Sequence, residues 1–115
     1  MKQYILVRTD IKVPIGKIIA HAGHNVLNAW QIGYKKYLAN LYAWLDEYNQ
    51  TKIVVEGGNN ENIVNFIKKA TRLGFPTSYI NDVKVKRPIC AVIGPVTETQ
   101  AEVLGLSKLP LFKND

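Results

Sequence analysis

Short β-branched runs alternate along this chain with longer stretches of helical periodicity, and that alternation constrains its fold most. Residues 3–7, 51–56, 77–81 and 88–93 read as strands, each centred on residues such as Ile5-Leu6-Val7 or Ile53-Val54-Val55. Between the first two, Ile18, Ile19, Ala22, Gly23, Val26, Ala29 and Trp30 recur at three- and four-residue spacings and predict a helix over residues 16–30. Tyr34, Tyr37, Leu38, Leu41, Trp44, Leu45 and Tyr48 repeat the spacing in a second helix ending near Asn49, an aromatic stripe read as core packing. A third helix carries Ile63, Phe66, Ile67, Ala70 and Leu73. Such alternation with short connections predicts an α/β sandwich, a small sheet with helices on its faces.

The punctuation agrees. Pro14 marks the start of the first helix and Gly33 its exit, while Gly57-Gly58 breaks the second strand. Asn59 or Asn60 caps the third helix, and Gly74 stands where it should stop. Gly94-Pro95 ends the fourth strand. Thr97 with Gln100 forms a capping-box pattern for a short helix over 97–104, after which Leu106, Leu109, Leu111 and Phe112 can dock a tail.

The 115 residues suffice for one domain, and 47% hydrophobic against 21% charged content excludes disorder. No stretch approaches the ~20 apolar residues of a membrane span. The opening apolar run is too short for a signal-peptide core, so a soluble cytoplasmic protein is expected. Cys90 is the only cysteine, which excludes an internal disulfide and a cysteine metal cluster, and its apolar neighbours predict burial. The net charge of +6 implies attraction to polyanions. It concentrates at Lys35-Lys36 and at Lys84, Lys86 and Arg87, which would form one phosphate-binding footprint if they shared a face.

Two groups of residues could carry chemistry. Lys17, His21 and His24, spaced by four and then three, project to one side of the first helix, either as a site or as a solvated face. Lys17 lies in the first turn, where free N–H groups favour a phosphate, and Gly16 would let it approach the backbone. Asp82 follows the third strand, either as an ordinary turn aspartate or as a site carboxylate. A carboxylate that orients water and a lysine that stabilises an oxyanion are the minimum for ester hydrolysis. No metal or other cofactor is expected: His21 and His24 lack the i, i+4 spacing and intervening glutamate of hydrolytic zinc helices. Ser78 and Ser107 lack elbow glycines, and no glycine-rich nucleotide loop is present.

Val7-Arg8-Thr9-Asp10, Gly16-Lys17-Ile18-Ile19-Ala20, Ala22 and His24 together resemble the opening of the type 2 peptidyl-tRNA hydrolases. The resemblance continues through Lys52-Ile53-Val54-Val55, Leu73-Gly74-Phe75-Pro76-Thr77-Ser78, Ile80-Asn81-Asp82 and Ala91-Val92-Ile93-Gly94-Pro95, over nearly the whole chain. It implies a single domain with a mixed four-stranded sheet flanked by helices, often a homodimer. Its implied activity is metal-free hydrolysis of the ester joining a peptide to the tRNA acceptor end. It further implies Lys17, His24 and Asp82 as catalytic residues; around them, Gly16, His21, Asp10, Lys84, Lys86 and Arg87 are expected to contact substrate. The chain departs from the pattern twice. His21 replaces a glutamine, introducing a side chain of a type that titrates near neutrality, and Val83-Lys84-Val85-Lys86-Arg87-Pro88 replaces a longer loop containing a threonine hydroxyl. Two rival readings remain: a tRNA-binding module of the same fold without hydrolysis, and a protein-interaction module using the aromatic helix. Burial of Tyr37, Trp44 and Tyr48 separates the second from a structural role.

Overall fold

The computed structural model describes residues 1–36 and 38–113. Strand β1 (Lys2–Arg8) leads through helices α1 (Ile15–Lys36) and α2 (Leu38–Asp46) to β2 (Lys52–Gly58). Helix α3 (Asn60–Arg72), strands β3 (Thr77–Asn81) and β4 (Pro88–Val96), helix α4 (Glu98–Leu104) and a 3-10 turn (Leu106–Lys108) complete the chain. The sheet order is β2-β1-β4-β3, with β1 parallel to β2 and antiparallel to β4, and β4 antiparallel to β3. This is the expected α/β sandwich with a mixed four-stranded sheet. No helix among the described residues is long and apolar enough to cross a membrane.

Composition sets each strand's place. The continuous apolar runs of β1 and β4 are buried on both faces and form the sheet centre, whereas β2 and β3 mix exposed with covered positions and lie at the edges. Strand alternation divides the core in two. Tyr4 and Leu6 pack with Val55, Ala70, Leu104 and Leu106, while Ile5 and Val7 pack with Ile18, Ala29, Cys90 and Val92 beneath α1.

Three punctuation marks act differently from their sequence reading. Helix α1 continues through Gly33, which is buried where α1 meets α2 and the start of β3; a Cβ there would lie 3.0 Å from Leu41 Cδ1 and 3.3 Å from Pro76 Cγ. Its missing side chain serves close packing rather than a helix stop. Strand β2 includes Gly57 and Gly58 because Gly58 still pairs with Arg8 after a register shift. Strand β4 likewise passes Gly94-Pro95: β1 pairs Tyr4 with Ile93 and Lys2 with Val96, accommodating an extra residue as a bulge. Gly94 adopts φ +118°, and a Cβ would lie 2.8 Å from the Lys2 carbonyl, so the bulge requires glycine.

The Thr97/Gln100 box of α4 forms as read, and of the two candidates for α3 it is Asn59 that caps, in a reciprocal box with Asn62 that the sequence reading did not include. The second helix is shorter than its stripe, and Tyr34 belongs to α1. Leu41 and Trp44 are buried, and Trp44 Nε1 donates to the Thr51 carbonyl at 2.9 Å. Tyr34, Leu38 and Tyr48 face solvent, so the stripe is only partly core; Tyr37 lies outside the described residues. In the tail, Leu106 is buried and Leu109 packs on the core. Leu111 makes a bridge with Val55 that turns its own side chain outward.

Candidate active site

The turn between β3 and β4 builds the carboxylate end of the site. Asn81 pairs with Pro88, so residues 82–87 must close in a tight loop. Asp82 N–H donates to the Arg87 carbonyl at 3.0 Å, Lys86 N–H donates to the Asp82 carbonyl at 2.7 Å, and Lys86 takes a left-handed φ of 60°. Asp82 Oδ2 accepts from the main-chain N–H groups of Lys84 (3.0 Å) and Val85 (2.9 Å), an arrangement that orients the carboxylate from within its own loop.

Its other oxygen faces α1. That helix starts where the Pro14 carbonyl accepts from Lys17 and Ile18 N–H, placing Lys17 in the first turn. Lys17 Nζ donates to Asp82 Oδ1 at 2.8 Å, and His21 Nε2, one turn later, lies 3.6 Å from the same oxygen. Asp82 is only 3% exposed, whereas 37% of the Lys17 side chain remains open to solvent. The Lys17 ammonium, followed by the Val85 amide, holds the Asp82 carboxyl at about 2. Asp82 is therefore ionised at neutral pH, with Oδ2 taken by two amides of its own loop and Oδ1 by Lys17.

The other candidate residues divide into near and far. His21 is mostly covered, and its buried Nδ1 has no hydrogen-bond partner among the described residues. His24 is exposed and makes no side-chain hydrogen bond among them, so the shared helix face brings Lys17 and His21 to Asp82 but leaves His24 outside. Gly16 is exposed with no atom within 4 Å of where a Cβ would lie, leaving open the approach to the helix start. Asp10 engages Arg8 instead of Lys17, through Arg8 Nε at 2.9 Å and Nη2 at 2.8 Å; this pairing lowers the Asp10 pKa. Lys84, Lys86 and Arg87 are exposed around Asp82.

A cleft of about 190 Å³ lies between Lys12, Val13 and Pro14 on one side and Asp82, Lys84 and Val85 on the other, with Lys17 in its wall. Lys12 and Val13 also line an adjoining cleft of about 540 Å³ that reaches Arg8, Asp10 and Phe112. Sequence reasoning missed both Lys12 and Val13, because nothing in their spacing shows that the β1–α1 loop faces the 82–87 loop. It also missed Asn25, which is fully buried: Ser78 Oγ donates to Asn25 Oδ1 at 2.9 Å, and Asn25 Nδ2 reaches Cys90 Sγ at 3.7 Å. These contacts tie α1 to β3 and β4 beside the site. Its signal was a polar residue within the apolar register of Ile18, Ala22 and Ala29. Cys90 is buried as expected, and burial pushes its thiol up to about 11. No group of three or more His, Cys, Asp or Glu placed to hold a metal ion occurs among the described residues.

A mixed sheet flanked by helices, with a lysine–carboxylate pair beside a basic loop, defines a small α/β protein suited to binding an anionic substrate and stabilising negative charge. The family described as peptidyl-tRNA hydrolase PTH2 matches residues 1–111, and the chain belongs to that family. It is similar to the peptidyl-tRNA hydrolase of Halobacterium salinarum, 33% identical over 107 residues that cover 89% of this chain and 92% of the relative. The similarity extends to the Metallosphaera sedula peptidyl-tRNA hydrolase, at 33% over 102 residues covering 83% and 86%. With the Staphylothermus marinus peptidyl-tRNA hydrolase it is 35% over 81 residues, covering 70% and 66%.

Proposed function

We propose that this protein hydrolyses the ester of peptidyl-tRNA, releasing peptide and free tRNA, with Lys17 as the group that stabilises the reacting carbonyl oxygen. The single observation that carries the assignment of roles is the 2.8 Å contact between Lys17 and the buried Asp82. Water adds to the ester carbonyl, giving up a proton to solvent at the open cleft, and negative charge collects on the carbonyl oxygen. A fixed ammonium in the cleft wall is a preorganised donor for that charge. The tetrahedral adduct then collapses: the carbon–oxygen bond to the ribose breaks, and the leaving oxygen takes up a proton from solvent to give the free hydroxyl. Asp82 contributes by holding Lys17 in place, and His21 adds a second nitrogen beside the same carboxylate oxygen. Gly16 leaves room for the acceptor-end phosphate, while Lys84, Lys86 and Arg87 attract the RNA; Asp10 keeps the β1–α1 loop in place through Arg8. His24 contacts bound substrate from the exposed helix face.

In this reading the reaction is metal-free, because the positive charge comes from Lys17. The protein works in the cytoplasm on stalled peptides, as a homodimer. Dimerisation is supported by exposed Ile19, Leu27 and Tyr34 on the outer side of α1, continued by Leu38 and Tyr42 on α2. The test is release of an N-blocked amino acid from its tRNA ester by purified protein, with and without a chelator. Turnover that survives chelation supports metal-free hydrolysis, whereas tRNA binding without release overturns it.

A further inference from the structure

Helix α1 carries a polar stripe longer than the catalytic pair requires. Lys17, His21, His24, Asn28, Gln31 and Lys35 follow one another at spacings of four and three, so they share one face over nineteen residues, about 27 Å of helix. Strand β3, about 17 Å long, lies beside the middle of that face. At one end Lys17 and His21 meet Asp82, just beyond the strand; in the middle Asn25 holds Ser78; at the far end a groove opens between helix and strand. This groove, about 420 Å³, is lined by Asn28, Gln31, Ile32, Lys35 and Lys36 of α1 and by residues 77–79 of β3, with no acidic residue among them. The two basic clusters noted in the sequence thus flank β3: Lys84, Lys86 and Arg87 beyond one end, Lys35 and Lys36 beside the other. No further strand pairs with the outer edge of β3 among the described residues, leaving a row of main-chain donors and acceptors along the track.

We propose that the 3′ strand of the tRNA acceptor arm lies along this α1–β3 groove, with its terminal ester at Lys17 and its phosphates reaching Lys35 and Lys36. The inference rests on the peptidyl-tRNA reading above and adds the direction in which the RNA leaves the active site. Lysines at both ends supply charge for phosphates. His24, Asn28 and Gln31 between them offer the hydrogen-bonding groups that suit sugars and base edges of a single strand. A negatively charged strand fits a groove without carboxylates, and its length suits several nucleotides rather than one.

The experiment measures binding of deacylated tRNA to the full chain across a salt series, for the wild type, Lys35→Gln/Lys36→Gln and Gln31→Lys. Each phosphate contact steepens the plot of log K against log salt by about 0.7–0.9. The double variant is expected to show a slope shallower by that amount per lysine, and Gln31→Lys a slope steeper by one such increment, with melting temperatures unchanged. Wild-type slopes in both variants would overturn the track while leaving hydrolysis at Lys17 intact. An altered sedimentation coefficient with unaltered tRNA binding would also overturn it, making the groove a protein interface. Absence of tRNA binding by the wild type would remove the underlying reading and the track together. Binding without ester release would overturn the hydrolytic reading alone, because the slopes still report where the RNA lies.

Discussion

Asp82 illustrates how a loop converts an ordinary residue into a site. Its sequence position after a strand suggested either a turn residue or a catalytic carboxylate; Oδ2 closes the turn as the first reading expects, while Oδ1 accepts from Lys17. The residue types were legible because a lysine in a helix's first turn and an aspartate after a strand are separately suggestive. Their contact was not, since it joins positions 65 apart and depends on Lys86 adopting a left-handed conformation. One consequence is a signed pH dependence. The Asp82 pKa is depressed to about 2, from about 3.9 in an unfolded chain, so its ionised form stabilises the fold fully above about pH 4 and loses that effect as pH falls toward 2. Thermal melts of the wild type and Asp82→Asn should therefore differ by a constant gap from neutrality to about pH 4, and the gap should close below. Closure near neutrality would mean that another group titrates there.

At the scale of elements, local capping chemistry was more legible than glycine. Thr97 declared its helix because a side-chain oxygen and a partner three residues later are local features, and the asparagines at 59 and 60 marked the start of α3 to within one residue. Gly57-Gly58 does close β2, as its last two residues, whereas Gly94-Pro95 resembled a break yet lies inside β4, because bulged register decides there. A Cβ on Gly57 would lie 2.9 Å from Ile63 Cγ1 and 3.1 Å from Leu6 Cβ, so the glycine marks where α3 approaches the sheet closely. Gly57→Ala should destabilise the protein by about 1–3 kcal/mol through overpacking. Denaturant unfolding checks this, and an unchanged midpoint would show that Ile63 moves aside freely.

Across the whole molecule, α1 has three different sides: an apolar side on the sheet, a polar side along β3, and an exposed outer side carrying Ile19, Leu27 and Tyr34. Periodicity identified the first and, through Lys17, His21 and His24, the start of the second; the extension of that polar side to Lys35 and the separate outer side became distinct only with β3 in place beside the helix. If the outer side joins two copies, sedimentation equilibrium should give a dimer mass, and Leu27→Lys/Tyr34→Lys should give a monomer with an unchanged melting profile at low concentration. A wild-type monomer at all concentrations would contradict this.

The central claim is that Lys17 and Asp82 act as one unit in ester hydrolysis, and a double-mutant cycle tests it most directly. Release of an N-blocked amino acid from tRNA would be timed for the wild type, Lys17→Ala, Asp82→Asn and the double variant. Removing a preorganised donor of this kind typically costs about 10²–10³ in rate, so Lys17→Ala should fall by that order. The double variant should fall little further, because an anchor has no function once its lysine is gone. Multiplying losses would contradict the claim and give Asp82 a role independent of Lys17.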